Sequence, residues 1–150
     1  MSEDHTKIHS AKPPIWFWIV SILFVIWNLF GVSNYLMAVM ATPESLAKQN
    51  YEPDQIEFLL GMPALYAAVF ALAVWSGLLA AVLLILRRRL AVPVYFVSVG
   101  FVVLSFILDY TGGTFRVLGN AYLGIMSFVT IMAVIEYMFA RLSRRRGWLR

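Results

Sequence analysis

Residues 64–108 read ALYAAVFALAVWSGLLAAVLLILRRRLAVPVYFVSVGFVVLSFIL. Two uncharged apolar runs, 64–86 and 91–108, flank a link of three arginines. At about 1.5 Å of helix rise per residue, each run crosses a hydrocarbon core of roughly 30 Å, the second only just. The link around 87–90 is so short that the two helices must be antiparallel neighbours. Working outward, 15–40 and 121–140 are two more runs of the same kind, and Glu136 is the one formally charged residue in all four. The expectation is an all-α membrane protein, an antiparallel bundle of four transmembrane helices. With 61% hydrophobic and 13% charged residues, a soluble monomer could not clothe its surface, whereas lipid suits it.

Charge sets the orientation, because lysine and arginine favour the cytoplasmic side. Lys7 and Lys12 precede the first run, Arg87, Arg88 and Arg89 fill the middle link, and Arg141, Arg144, Arg145, Arg146 and Arg150 follow the last. Those are ten of twelve basic residues, and an even number of spans puts all three segments on one face. The other face has Lys48 and Arg116. Both termini are therefore expected in the cytoplasm, with an N-terminal tail over 1–14 and a basic C-terminal tail over 141–150. Basic residues clustered at helix ends suit anionic lipid headgroups and not nucleic acid. The first run far exceeds the apolar core of a signal peptide and is read as a span. Trp16, Trp18, Tyr95, Tyr137 and Phe139 form an inner aromatic belt on this reading, and Tyr35, Tyr66, Tyr110 and Tyr122 an outer one. Trp27 and Trp75 fall deeper, packed in or against the bundle.

The external segment 41–63 carries Glu44, Glu52, Asp54 and Glu57 against Lys48, a local charge of −3. Thr42-Pro43-Glu44 is a helix start, with a hydroxyl cap, proline in the first turn and an acid near the positive end of the dipole. Glu52-Pro53-Asp54-Gln55 repeats the pattern. Two short helices follow, over 43–49 and 53–60. Thr111-Gly112-Gly113-Thr114 is a turn.

Helix faces are read from small and polar residues, since these allow close approach and hydrogen bonds in lipid. Ser21, Asn28 and Tyr35 share a face of the first span, with Gly31 beside it. Ala73, Gly77 and Ala81 form a small-residue ladder in the second, for packing within the chain or dimerisation. Tyr95, Ser98, Ser105 and Asp109 make a stripe in the third, and Ser127, Thr130 and Tyr137 a face in the fourth. Glu136 lies off that face, five residues before Arg141, and is expected to reach the basic edge and pair with Arg141 or Arg87–Arg89. Arg116 is the expected partner of Asp109. Asn28 should bond Ser76, Ser127 or Thr130.

There is no cysteine, and the two histidines, His5 and His9, are in the first tail. That excludes a thiol relay and histidine-ligated haem at membrane depth. No cofactor, metal site or catalytic set is expected. Asn28, Asp109 and Glu136 are the candidate functional polar residues, and Ser21, Gly31, Ala73, Gly77 and Ala81 the packing positions.

Pro14-Ile15-Trp16-Phe17-Trp18-Ile19-Val20-Ser21 is followed by Trp27-Asn28 and Gly31-Val32. Further on stand Phe70-Ala71-Leu72-Ala73-Val74, Gly77, Leu86-Arg87-Arg88 and Ala91-Val92-Pro93. Over 13–105 this resembles a family of small bacterial membrane proteins of about this length, often labelled "sugar transporter". The resemblance implies a bacterial inner (cytoplasmic) membrane and carries over no substrate residues. The expected function is non-enzymatic: an interaction or accessory subunit, in a homo-oligomer or larger complex. The alternative is a small oligomeric transporter using Asn28, Asp109 or Glu136.

Overall fold

The computed structural model describes residues 12–150. Lys7, His5, His9 and most of the 1–14 tail lie outside the described residues. Among the described residues the chain is all helical: α1 (Ile15–Val39), α2 (Pro43–Lys48), α3 (Pro53–Leu60), α4 (Ala64–Ile85), α5 (Ala91–Thr111) and α6 (Thr114–Arg145). Helices α1, α4, α5 and α6 are long and apolar enough to cross a membrane, and they form the four-helix bundle. The chain is a multi-pass membrane protein. Its spans differ in detail from the runs read in the sequence. The third continues to Thr111, and the fourth begins at Thr114 and carries the helix past Arg141 to Arg145.

Helix ends follow local chemistry. Thr42 caps α2, its Oγ1 accepting from Ser45 N at 3.2 Å, and Thr42 N donates back to Ser45 Oγ at 2.8 Å. Glu52 N donates to Gln55 Oε1 at the start of α3. Pro93 is tolerated because it falls in the first turn of α5, where backbone N–H groups have no intrahelical acceptor. Arg87 closes α4 in the left-handed region, with φ 57°. Arg88 N then donates to Leu83 O and Arg87 N to Leu84 O, the paired bonds that satisfy the last carbonyls. Gly147 closes α6 in the same way, with Trp148 N donating to Ser143 O.

These two closures lie at the same end of the bundle and bind each other. Arg89 N donates to Arg150 O at 2.9 Å, Arg150 N to Arg87 O at 2.6 Å, and Arg87 Nε to Trp148 O at 2.7 Å. Trp148 and Leu149 are thereby folded back and buried with Phe17, Leu84 and Tyr95. The segment expected as a basic tail is thus the last turn of α6, to Arg145, and a docked return.

Packing runs around the bundle from α1 to α4, α4 to α5 and α5 to α6. Between α1 and α6 the contact is made by long side chains. Phe24 meets Phe139 edge-on at 5.4 Å, Trp27 meets Phe128 at 5.6 Å, and Phe17 stacks on Phe139 at 5.9 Å. Such ring pairs contribute about 0.5–1.5 kcal/mol each beyond burial. The small ladder is spent inside the chain, because Ala73, Gly77 and Ala81 are all buried. Ser21 is buried too, and Gly31 faces Val74. Trp75 and Leu79 face outward, about half exposed, whereas Leu78 is half-buried.

One break interrupts α6. Gly119 has φ 79° and ψ −174°, a conformation open in practice to glycine alone. A Cβ there would meet nothing within 4 Å, so backbone and not space demands the glycine. The kink turns the first turn of α6, Thr114 to Leu118, over the loop end of the bundle. There Gln55 Nε2 of α3 donates to Val117 O at 3.0 Å and ties the α2–α3 segment down.

Candidate functional site

A polar layer crosses the bundle between two apolar clusters. It is built from one residue on each spanning helix: Asn28 on α1, Gly77 on α4, Ser98 on α5 and Glu136 on α6. Gly77 lies eight residues before Ile85 and Glu136 nine before Arg145, about 12–14 Å in from the basic ends of their helices. On one side lie Phe17, Leu84, Tyr95 and Trp148; on the other, Ala73, Val102 and Ala133.

Glu136 is 3% exposed. Its Oε1 accepts a hydrogen bond from Asn28 Nδ2 at 2.6 Å. The same nitrogen donates to Phe24 O, one turn back in α1, at 2.8 Å. Both amide protons of Asn28 are therefore placed, one on its own helix and one on α6. Gly77 makes room for this. A Cβ at Gly77 would collide with Asn28 Oδ1 and press on Ser98 Oγ at 3.1 Å. Ser98 Oγ donates to Ala73 O at 2.9 Å, joining α5 to α4. Tyr95 is 1% exposed, and its hydroxyl has no hydrogen-bond partner among the described residues. It lies within electrostatic reach of the Glu136 carboxyl. Ionisable side chains inside a span are costly and face the bundle interior, which is where Glu136 is found.

Several expectations are corrected here. Glu136 does not reach the basic edge to pair with arginine; the amide of Asn28 holds it inside. Asn28 bonds Glu136 and Phe24, not Ser76, Ser127 or Thr130. The inward face of α6 is Ala133, Glu136, Ala140 and Ser143, and not Ser127, Thr130 and Tyr137. Ser127 and Thr130 are half-buried, and their hydroxyls donate to Leu123 O and Met126 O of their own helix. The signal that locates the true face is the spacing of the small residues at 133, 140 and 143 around 136. Tyr95 is a core residue and not a member of the aromatic belt, and Trp75 is half exposed on the outer side of α4.

Asp109, the other buried acid, is 4% exposed and two residues from the loop end of α5. Arg116 is exposed and is not its hydrogen-bond partner. Tyr122 Oη donates to Asp109 Oδ2 at 3.3 Å, and the buried Thr114 hydroxyl lies beside it. Asn28 and Glu136 thus form one site, and Asp109 stands apart at the other end. Among the described residues no group of three or more acids or histidines is placed to hold a metal ion. In comparisons with family models, curated proteins and solved structures, the chain matches none.

Proposed function

We propose that this membrane protein is a non-enzymatic carrier for a small solute, and that Glu136 takes up and releases a proton as the carrier works. The observation that supports this is the buried Glu136 carboxyl, held across the bundle by Asn28, with the buried Tyr95 hydroxyl within its electrostatic reach. The accessory-subunit reading leans on the lack of a catalytic set, whereas the interior holds an ionisable group on the α1–α6 seam. That seam is closed by side chains while its backbones stay apart, so α1 can move from α6 by breaking one hydrogen bond and sliding rings. A single four-helix unit leaves little room for a path, so the carrier works as an oligomer. Its setting is a bacterial inner membrane, with anionic lipid at the basic end. The resemblance to proteins labelled as sugar transporters makes sugars the first solutes to try.

The test is reconstitution into liposomes containing a pH-sensitive dye, with a panel of monosaccharides and small organic cations outside. The native protein is expected to couple solute entry to acidification of the lumen. Glu136→Gln keeps an oxygen that can accept from Asn28, so it is expected to fold with native thermal stability and to lose the coupling. Transport by Glu136→Gln equal to native would remove Glu136 from the mechanism. No solute-driven proton movement by the native protein, together with a stable heteromeric partner after mild-detergent purification, would restore the accessory-subunit reading.

The same reading places the ends of the chain in the cytoplasm and 41–63 outside, on ten basic residues against two. Green fluorescent protein fused after Arg150 is expected to fluoresce. Alkaline phosphatase inserted near Asn50 is expected to be active. The reverse pattern would invert the topology and put Glu136 nearer the outer surface.

A further inference from the structure

Asp109 and Glu136 belong to one arrangement along the α5–α6 interface. Tyr95 on α5 lies within electrostatic reach of Glu136 on α6 without hydrogen-bonding to it, and Tyr122 on α6 donates to Asp109 on α5. In an antiparallel pair, residues at the same level have position numbers with a constant sum. Tyr95 with Glu136 and Asp109 with Tyr122 share that sum. Halfway between lie Val102 and Val129, with the same sum, in the apolar cluster with Ala133. The interface therefore presents two carboxyls, each level with a tyrosine of the opposite helix, with an apolar septum between them. Tyr95 and Asp109 are fourteen residues apart, about 21 Å along α5. That is roughly two-thirds of a 30 Å hydrocarbon core.

We infer that Asp109 is the loop-side proton-binding residue of a route along the α5–α6 seam that ends at Glu136. This rests on the reading of Glu136 as a proton-accepting group. Asp109 is placed for the role because it is buried yet only two residues from the end of its helix, so a proton reaches it from the loop side without crossing the septum. The titratable group facing Asp109 from α6 is Tyr122, with Tyr51 of the α2–α3 segment near that phenol. The group facing Glu136 from α5 is Tyr95; α1 presents the amide of Asn28, and the α4 ladder carries no ionisable side chain. The transfer is a proton exchange only. The Asp109 carboxyl gives its proton to water admitted to the seam, and the Glu136 carboxylate receives one from that water. With Val102 and Val129 packed in the cluster around Ala133, the septum is apolar and the route closed. A shift of α6 as it parts from α1 opens it.

The experiment uses the full chain in liposomes, with Asp109→Asn and Tyr122→Phe beside the native protein. It reads solute-coupled proton uptake, thermal stability, and infrared difference spectra recorded between acid and alkaline buffer. Asp109→Asn is expected to stay folded, to lose coupled uptake and to lose one protonated-carboxyl band, while the band removed by Glu136→Gln remains but shifts. Tyr122→Phe keeps the ring and is expected to slow uptake and shift the Asp109 band. Native uptake in a folded Asp109→Asn protein, or an Asp109 band indifferent to Glu136→Gln, would overturn the route and leave the carrier reading standing. If Asp109→Asn does not fold, Tyr122→Phe decides: uptake at the native rate with an unshifted band would overturn the route. Absence of coupled uptake in the native protein would overturn both.

Discussion

Gly77→Leu is expected to lower the melting temperature of the detergent-solubilised protein on the order of 10 °C, while Leu79→Ala changes it little. The glycine lies where Asn28 of α1 and Ser98 of α5 press against α4. A first side-chain atom there already collides with Asn28 Oδ1, and the rest of a leucine must displace Ser98 as well. Overpacking of this kind costs about 1–3 kcal/mol. Moving Asn28 also withdraws the donor from a buried carboxyl, and a buried polar group left unsatisfied costs about 1–3 kcal/mol more. For a domain of this size, each kcal/mol corresponds to roughly 2–4 °C. Leu79 sits on the same helix two residues away but is about half exposed on the outer face. Its removal trades lipid contact for lipid contact and stays within about 0.5 kcal/mol. Thermal unfolding of both variants, followed by size-exclusion chromatography after heating, is the measurement. Equal losses would mean that α4 does not pack through its glycine face.

Much of this architecture was legible because lipid imposes simple rules. A spanning segment must satisfy its own backbone, so it must be a long helix, and the three-arginine link leaves its neighbours one way to pair. The α4 ladder was legible because small residues are useful where backbones touch. The caps at Thr42 and Glu52 were legible because their partners lie three residues away. The site was half legible, and the reason lies in how each polar side chain satisfies itself. Ser127 and Thr130 suggested an inward face, but a hydroxyl in a helix can donate to the carbonyl four residues back and needs no neighbour. Ser21 does the same, donating to Phe17 O at 2.7 Å. Hydroxyls therefore report little about which face of a membrane helix is buried. A carboxyl has no such outlet on its own helix, because the backbone N–H groups around it are already used. Glu136 had either to leave the membrane or to find a donor, and its nearness in sequence to Arg141 favoured leaving. What decided otherwise was Asn28, 108 positions away, whose second amide proton had no acceptor on α1. Sequence spacing within one helix cannot show that match.

Because the match joins two helices whose backbones stay apart, the pair is expected to show strong coupling in a double-mutant cycle. Asn28→Leu alone leaves the Glu136 carboxyl without its donor in a site closed to water. Breaking a buried polar pair from that side costs about 3–5 kcal/mol when the survivor carries charge, and about 1–3 when it is neutral. Glu136→Met alone is milder. The Asn28 amide keeps its bond to Phe24 O and loses only the proton aimed at α6, for about 1 kcal/mol. The double variant Asn28→Leu/Glu136→Met strands nothing, and its volumes roughly match the originals. Replacing both partners with apolar groups is close to neutral. The double variant is therefore expected to be more stable than Asn28→Leu, with a coupling toward the upper end of the usual 0.5–3 kcal/mol. Interhelical hydrogen bonds between neutral groups in membranes average about 0.6 kcal/mol, so a value well above that would mark the carboxyl as the source. Chemical unfolding of the four proteins in mixed micelles gives the number. Additive effects would mean that the aromatic contacts of Phe24, Trp27, Phe128 and Phe139 hold α1 to α6 unaided. A stable, well-folded double variant that has lost coupled uptake would instead separate the two roles of the pair: dispensable for the fold and required for the work.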